Sequence, residues 1–394
     1  MAEWLKTALI DIVELIGGGT PKTSKAEYWG GNINWLSVKD FNNENRYVYS
    51  TEKTITEEGL NNSSTKLLKK DDIIISARGT VGELAMIPFP MAFNQSCYGI
   101  RAKEGIDSIF LYYLIKNSVR KLKAITHGSV FDTITRDTFA NIEVAIPDIK
   151  TQHRIAKMLA DIDDKVENNQ RINNNLEQQI SALFINMFGF NIDNLVDNKF
   201  SLGDLVESVD NRGKTPPLSD KPTSYPIIDV KALSGDIRIV DYNNCTKYVD
   251  EETYNNWFRS GHPKQYDILI STVGSLAEMK IFLGDIGCIA QNVVGFRSKG
   301  VSPLYLYQYL NYIKSDLVAY NIGSVQPSIK VTHIIKHPIY VAPQDELDKF
   351  DSVARSITEK IFANCQENES LKLLRDTLLP KLMSGELDVS NIEI

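Results

Sequence analysis

Residues 155–187 read IAKMLADIDDKVENNQRINNNLEQQISALFINM. Apolar residues recur at alternating steps of four and three: Ile155, Leu159, Ile162, Val166, then Leu176, Ile180, Leu183 and Met187, with Asn169 and Asn173 holding the two middle positions. Ten consecutive heptad core positions, eight of them apolar, predict one long helix with a coiled-coil seam and exclude a strand, whose side chains alternate with a period of two. Moving the register forward by 195 residues gives Phe350, Ala354, Ile357, Ile361, Asn364, Asn368, Leu371, Arg375, Leu378 and Leu382, and the asparagine pair returns in phase. Polar residues at core positions cost stability but select a register in which they can bond one another. The two helices are therefore expected to pair antiparallel with Asn169, Asn173, Asn364 and Asn368 at the centre of the pair. Pro380 falls late in the second series, where it can end that helix early.

Two such helices half a chain apart imply a tandem duplication, and matching segments recur at the same offset. The turn Gly17-Gly18-Gly19-Thr20-Pro21-Lys22-Thr23 is answered by Asn211-Arg212-Gly213-Lys214-Thr215-Pro216-Pro217. Val38-Lys39 is answered by Val230-Lys231, both in strand-like alternation. Asp72-Ile73-Ile74-Ile75-Ser76, leading into Ala77-Arg78-Gly79-Thr80, is answered by Asp267-Ile268-Leu269-Ile270-Ser271 and Thr272-Val273-Gly274-Ser275. An apolar strand ending in a Ser/Gly/Thr turn sets small polar groups on one rim of a sheet. Glu83 and Glu278 correspond, as do Gln95 and Gln291, and both glutamates read as structural. Leu111-Tyr112 and Leu306-Tyr307 begin helices; the first carries Lys116, Arg120, Lys121 and Lys123, the second only Lys314. Gly128-Ser129-Val130 and Gly323-Ser324-Val325 match, but Phe131-Asp132-Thr133 stands against Gln326-Pro327-Ser328. A shared scaffold with differing polar tips suits two recognition modules for different targets, and drift after duplication explains it equally well.

Composition narrows the class. The 394 residues are 43% hydrophobic and 24% charged, a globular profile with room for two or three domains. No run of eighteen apolar residues exists to span a bilayer, and acidic residues interrupt the first sixteen, so the expected location is the cytoplasm. Cys97, Cys245, Cys288 and Cys365 form no C-x-x-C and read as buried fillers. The net charge of −7 is uneven. Residues 1–147 hold 17 basic and 17 acidic side chains, 191–343 hold 15 and 16, and 344–394 hold 6 and 11. A strongly basic, non-specific nucleic-acid binder is excluded, and any affinity for nucleic acid must be local.

Catalytic signatures are missing. No H-E-x-x-H, G-x-S-x-G, Walker motif or Asn-Pro-Pro-Tyr occurs, and the Gly-rich turn lacks phosphate-loop spacing. Pro147-Asp148 with Asp163-Asp164-Lys165 matches a nuclease pattern only formally, because its second part lies on the coiled-coil helix. His333 and His337 flank a probable strand with no third ligand, so they read as structural, and no metal site is expected.

The whole chain resembles the DNA-specificity (S) subunit of type I restriction-modification systems. The resemblance rests on Gly18-Gly19-Thr20-Pro21-Lys22-Thr23, on Ile146-Pro147 with Gln152 and Ile155, and on Leu378-Leu379-Pro380-Lys381-Leu382-Met383-Ser384-Gly385-Glu386-Leu387. It implies an α+β fold with α/β-type globular domains: target-recognition domains at 1–147 and 191–343, a central long helix at 148–190, and a C-terminal long helix and tail at 344–394. It implies no catalysis by the chain itself. Each domain is expected to read half of a bipartite site in double-stranded DNA. The helices are expected to carry two methyltransferase (M) subunits, with S-adenosylmethionine bound there and no cofactor on this chain. Whether restriction (R) subunits join is left open. The 33-residue core series spans about 50 Å at most, and domains on one side of B-DNA should read half-sites about one turn, 34–36 Å, apart. Base-reading residues do not transfer with the resemblance. By position on the repeated rims, the DNA-binding candidates are Thr20, Lys22, Lys39, Arg78, Ser129 and Arg136 in the first half. In the second they are Lys214, Thr215, Lys231, Ser275, Ser324, Gln326 and Lys330. Rival readings are a coiled-coil scaffold, which needs no repeated polar rim, and a DNA-modifying enzyme with unrecognised motifs.

Overall fold

The computed structural model describes residues 4–41, 45–126, 133–194, 200–289, 291–390 and 392. It divides into two compact units, Met1–Asn168 with Glu367–Ile394, and Asn169–Gln366. Each unit joins a globular α+β part to half of each long helix.

In the first unit the central sheet is antiparallel, in the order Val13–Gly17, Cys97–Ala102, Ile73–Ser76, Leu84–Met86. The middle strand Ile73–Ser76 is wholly buried, which is why it reads as an unbroken apolar run instead of an alternation. A second four-stranded sheet has the order Lys53–Ile55, Trp29–Leu36, Met91–Phe93, Leu67–Leu68, with Trp29–Leu36 parallel to Met91–Phe93. Leu5–Ala8 pairs with Glu143–Ile146 just before the first long helix. The second unit repeats the plan. Its central sheet runs Val206–Val209, Val293–Ser298, Ile268–Ser271, Met279–Ile281, and Phe200–Ser201 pairs with Pro338–Ile339. In both units a bidentate ion pair straps the middle strand to its neighbour: Arg101 Nη2 to Asp72 Oδ2 at 2.6 Å, and Arg297 Nη2 to Asp267 Oδ2 at 2.7 Å.

The first long helix runs Ile149–Phe184 and continues through a π-helical turn, Ile185–Gly189, into Phe190–Asp193. Gln152, 2% exposed, stitches its start to the globular part by accepting from Asp107 N at 3.0 Å and donating to Pro147 O at 3.0 Å. The second long helix, Gln344–Met383, passes through Pro380 instead of ending there. Pro380 sits in the last turn, and the chain leaves the helix at Gly385, whose φ of +75° suits glycine. None of the heptad core positions is exposed. Within the second unit the amide of Asn364 donates to Asn173 Oδ1 at 2.7 Å, and Asn173 Nδ2 lies 3.6 Å from Cys365 Sγ. Within the first, Arg375, which replaces an apolar core residue, donates to Asp163 Oδ1 at 2.8 Å, and Lys165 lies 3.2 Å from Glu367.

The helices share the globular cores. Ile155 and Leu159 pack with Ile73, Ile100 and Phe110 in the first unit. Phe184 and Phe188 pack with Tyr305 and Phe350 in the second, at ring separations of 5.1–5.6 Å. Two local readings need correction. Val38–Asp40 and Val230–Leu233 are 3₁₀ turns, not strand, because the side chains of Asp40 and Asp229 accept backbone N–H groups and end the extended run. His333 lies in the short helix Val331–Ile334, and His337 bonds Tyr320 at 2.9 Å, so the two do not flank a strand.

Candidate nucleic-acid interface

In an antiparallel sheet, alternate strands begin and end at the same edge. The turn after Gly17, the loop before Cys97 and the turn after Ser76 therefore meet at one edge of the first central sheet. The turns after Val209 and Ser271 and the loop before Val293 do so in the second.

A buried serine shapes the hairpin tip in each unit. Ser76, 0% exposed, donates its hydroxyl to Thr80 O while accepting from Glu83 N at 2.8 Å. Ser271, also 0% exposed, bonds Ser275 O and Glu278 N in the same way. With Ser76 and Ser271 spent on the turn, Arg78 and Thr80 in the first unit and Ser275 in the second are exposed at the tips. Backbone bonds tie each tip to the next loop: Arg78 N to Ser96 O at 3.2 Å, and Thr272 N to Asn292 O at 2.8 Å. A further loop leans on the same tip, through Ile134 N to Ala77 O at 3.0 Å and Ile329 N to Thr272 O at 2.8 Å.

The glycine-rich turns join these rims through a repeated side-chain bond. Thr20 donates to Gln95 Oε1, and Gln291 donates to the hydroxyl of Thr215. Close packing explains Gly18 and Gly19: a Cβ there would lie 2.1 Å from Asn94 O and 2.3 Å from Ser64 Oγ. Arg136 is exposed and reaches the same region, donating to Leu15 O at 3.3 Å. Thr20, Arg78 and Arg136 thus gather at one edge of the first unit. Lys22 is exposed on the same turn, and Ser129 lies outside the described residues.

Lys39 lines a groove of about 200 Å³ with Trp35, Ser37, Asp40, Glu52 and Lys53, so two carboxylates stand beside its two cations, and Trp35 Nε1 donates to Gly19 O of the glycine-rich turn at 3.0 Å. Lys231 is exposed on the 3₁₀ turn that follows the strand Tyr225–Ile228, three residues before Ser234, which lines a pocket together with Ser275.

In the second unit Lys214, Thr215, Ser275, Ser324, Gln326 and Lys330 are all exposed on loops at or leaning on the central-sheet edge. Gly274 N donates to Pro327 O at 3.0 Å, which seats the loop of Ser324 and Gln326 beside the tip of Ser275. Sequence reading missed Arg259. Its Nη2 donates to Arg212 O at 2.7 Å, which holds an exposed guanidinium against the turn of Lys214. The first unit has Ser64 at that place, so no repeat signal marked it. Arg212 itself is occupied by Asp210 through a bidentate pair of 2.9 and 2.6 Å, and this hydrogen bonding holds the Asp210 carboxyl below its ordinary range. Glu278 forms an ion pair with Lys314 at 3.0 Å, in keeping with its structural reading. Among the described residues no group of three His, Cys, Asp or Glu could hold a metal ion.

Two copies of one fold, each presenting polar and basic loops from one sheet edge and each rooted in a shared helix pair, define a duplicated recognition module. The model of the type I restriction-modification DNA specificity domain matches the chain twice, over residues 1–178 and 197–364. The chain belongs to that family, whose members are the DNA-sequence-recognising subunits of type I restriction-modification systems. It is similar to the type I restriction enzyme MjaIX specificity subunit of Methanocaldococcus jannaschii, with 29% identity over 99% of this chain and 95% of that one. It also resembles the EcoprrI specificity subunit of Escherichia coli, with 22% identity over 93% and 92% of the two chains. The crystal structure of a type I S subunit from M. genitalium has the same fold, with a TM-score of 0.55 and 17% identity over 97% of this chain and 96% of that one.

Proposed function

We propose that each unit reads one half of a bipartite site in double-stranded DNA through the loops at its central-sheet edge. The observation that carries this is the repeated rim: the same serine-closed tip and the same Thr–Gln bond stand in both units, beneath loops of different polar sequence. Conserving scaffold bonds while varying exposed tips separates positioning from reading. Lys22, Arg78 and Arg136, with Lys214, Arg259 and Lys330, supply phosphate contacts, and a few side chains at groove depth discriminate bases.

The long helices take a different partner. The segment from Gln344 onward holds 11 acidic and 6 basic side chains, which disfavours DNA and favours protein. Two methyltransferase subunits dock there, bind S-adenosylmethionine and supply the chemistry, while this chain is non-catalytic and acts in the cytoplasm. Helix length sets the spacer between half-sites.

Domain exchange tests the modular reading. Replacing residues 1–147 with the same region of a relative should change one half of the methylated sequence and leave the other intact, as read by mapping modified bases. A change in both halves refutes it.

A further inference from the structure

The loop from Asn321 to Lys330 is held rigidly at its base. Asn321 Oδ1 accepts the backbone N–H groups of Gly323 and Ser328, each at 3.0 Å, and Ile322 N donates to Ser328 O at 2.9 Å. Ser328 forms a bridge with Val273, and Ile329 is buried beneath, at 3% exposure. Gly323 is packed so tightly that a Cβ would lie 1.9 Å from Gln326 O. From this base project Ser324, Val325, Gln326 and Pro327, all exposed. Val325 is 98% exposed, the highest value of any large apolar side chain among the described residues.

A β-branched apolar group almost wholly exposed at the tip of a braced loop has nothing in its own unit to bury it. On duplex DNA, the apolar feature at base-edge depth in the major groove is the 5-methyl group of thymine. The adjacent Gln326 carries the amide donor and acceptor that match N7 and N6 of adenine. The two neighbours on the loop therefore carry the complementary chemistry of the two bases of an A·T pair. Neither side chain is charged, so neither adds an ionic contact to phosphate.

We infer that the Val325–Gln326 tip reads A·T pairs in the half-site of the second unit, with Val325 against a thymine methyl and Gln326 on adenine. This rests on the reading that the second unit contacts duplex DNA. The full chain is used to select its target from random duplexes, and the half-site of the second unit is identified as the part altered by exchanging residues 191–343. Each thymine of that half-site is then replaced in turn by deoxyuridine, which removes only the methyl group. One replacement should weaken binding of the natural chain about three- to fivefold, the worth of burying one methyl. The same replacement should leave Val325→Ala unaffected, because the partner of the methyl is already gone. Val325→Ser removes both methyl groups and should behave as Val325→Ala does. Gln326→Ala should relax selection at an A·T position of the same half-site only. At 98% exposure, Val325 can be changed without loss of fold. Selective binding with no uracil-sensitive thymine, or equal sensitivity in Val325→Ala, overturns the inference while leaving the two-module reading standing. Failure to select any duplex overturns both.

Discussion

Arg238 offers the sharpest test of how a recognition unit is fastened to the helices. Its side chain is 0% exposed, and its guanidinium donates to Glu177 on the first long helix at 2.7–3.1 Å and to Thr358 on the second at 2.9 Å. The Arg238 backbone N–H donates to Glu177 as well, at 2.8 Å. The ring of Tyr307 lies 5.3 Å from the guanidinium carbon. Glu177→Ala leaves this cation buried with its main counter-charge gone, a situation that costs about 3–5 kcal/mol. For a unit of this size that corresponds to a melting temperature lower by about 10 °C. Arg238→Met removes the buried charge and leaves Glu177, whose side chain is 15% exposed and can regain water, so its loss should be smaller. Combining Arg238→Met with Glu177→Leu exchanges an ion pair for apolar packing and should recover most of the stability. Urea titration with cysteine labelling, resolved by peptide, gives the readout. Cys245 and Cys288 are buried in this unit, and Cys97 in the other unit serves as reference. A midpoint for Cys245 and Cys288 unchanged by Glu177→Ala, or a double variant no more stable than Glu177→Ala, would refute the reasoning.

Two further outcomes follow from buried polar groups. Asn173→Leu or Asn364→Leu alone strands a buried amide and should cost about 1–3 kcal/mol, whereas the double variant should be at least as stable as either single; a double-mutant cycle in urea checks this, and additive losses count against it. Lys280 is 2% exposed and bonds the carbonyls of Gly235 and Ile237, and burial pushes its pKa down from 10.5 to about 8. Between pH 8 and 10.5 the unfolded chain then binds more protons than the folded one, so this lysine makes stability rise with pH across that window. The stability difference between the natural chain and Lys280→Met, measured at pH 7.5, 9 and 10, should shift in favour of the natural chain as pH rises; a flat difference contradicts the assignment.

The long helices and the duplication were legible in the order of residues alone. A heptad seam is a local pattern, and a repeat is a comparison of the chain with itself, so neither needs a tertiary structure. The strands Ile73–Ser76 and Ile268–Ser271, apolar up to a closing serine, were legible for the same reason: burial on both faces writes itself as composition. Local side-chain capping decided other details. Ser37, Asp40 and Asp229 turn Val38–Asp40 and Val230–Leu233 into 3₁₀ turns, and a proline in the last helical turn is tolerated although the pattern alone suggests a stop.

What only the tertiary structure decided is which distant groups meet. Gln95 and Gln291 were visible as a matched pair, yet their bonds to Thr20 and Thr215 span 75 and 76 residues. Glu177 and Arg238 are 61 residues apart, and Arg46, the counterpart of Arg238, reaches Asp164 across 118. The equivalence of Arg46 and Arg238 is itself hidden in the sequence. It shows only in their carbonyls, which accept from Met86 N at 2.7 Å and Ile281 N at 2.6 Å. Lys39 looked no different from Lys214 as a residue. The fold set them apart, because a lysine's use depends on the charges around it, and the chain brings Asp40 and Glu52 to Lys39 but an exposed turn with Arg259 to Lys214. Periodicity reports which face a residue turns inward, whereas the partner it finds there is settled by the packing of the whole unit.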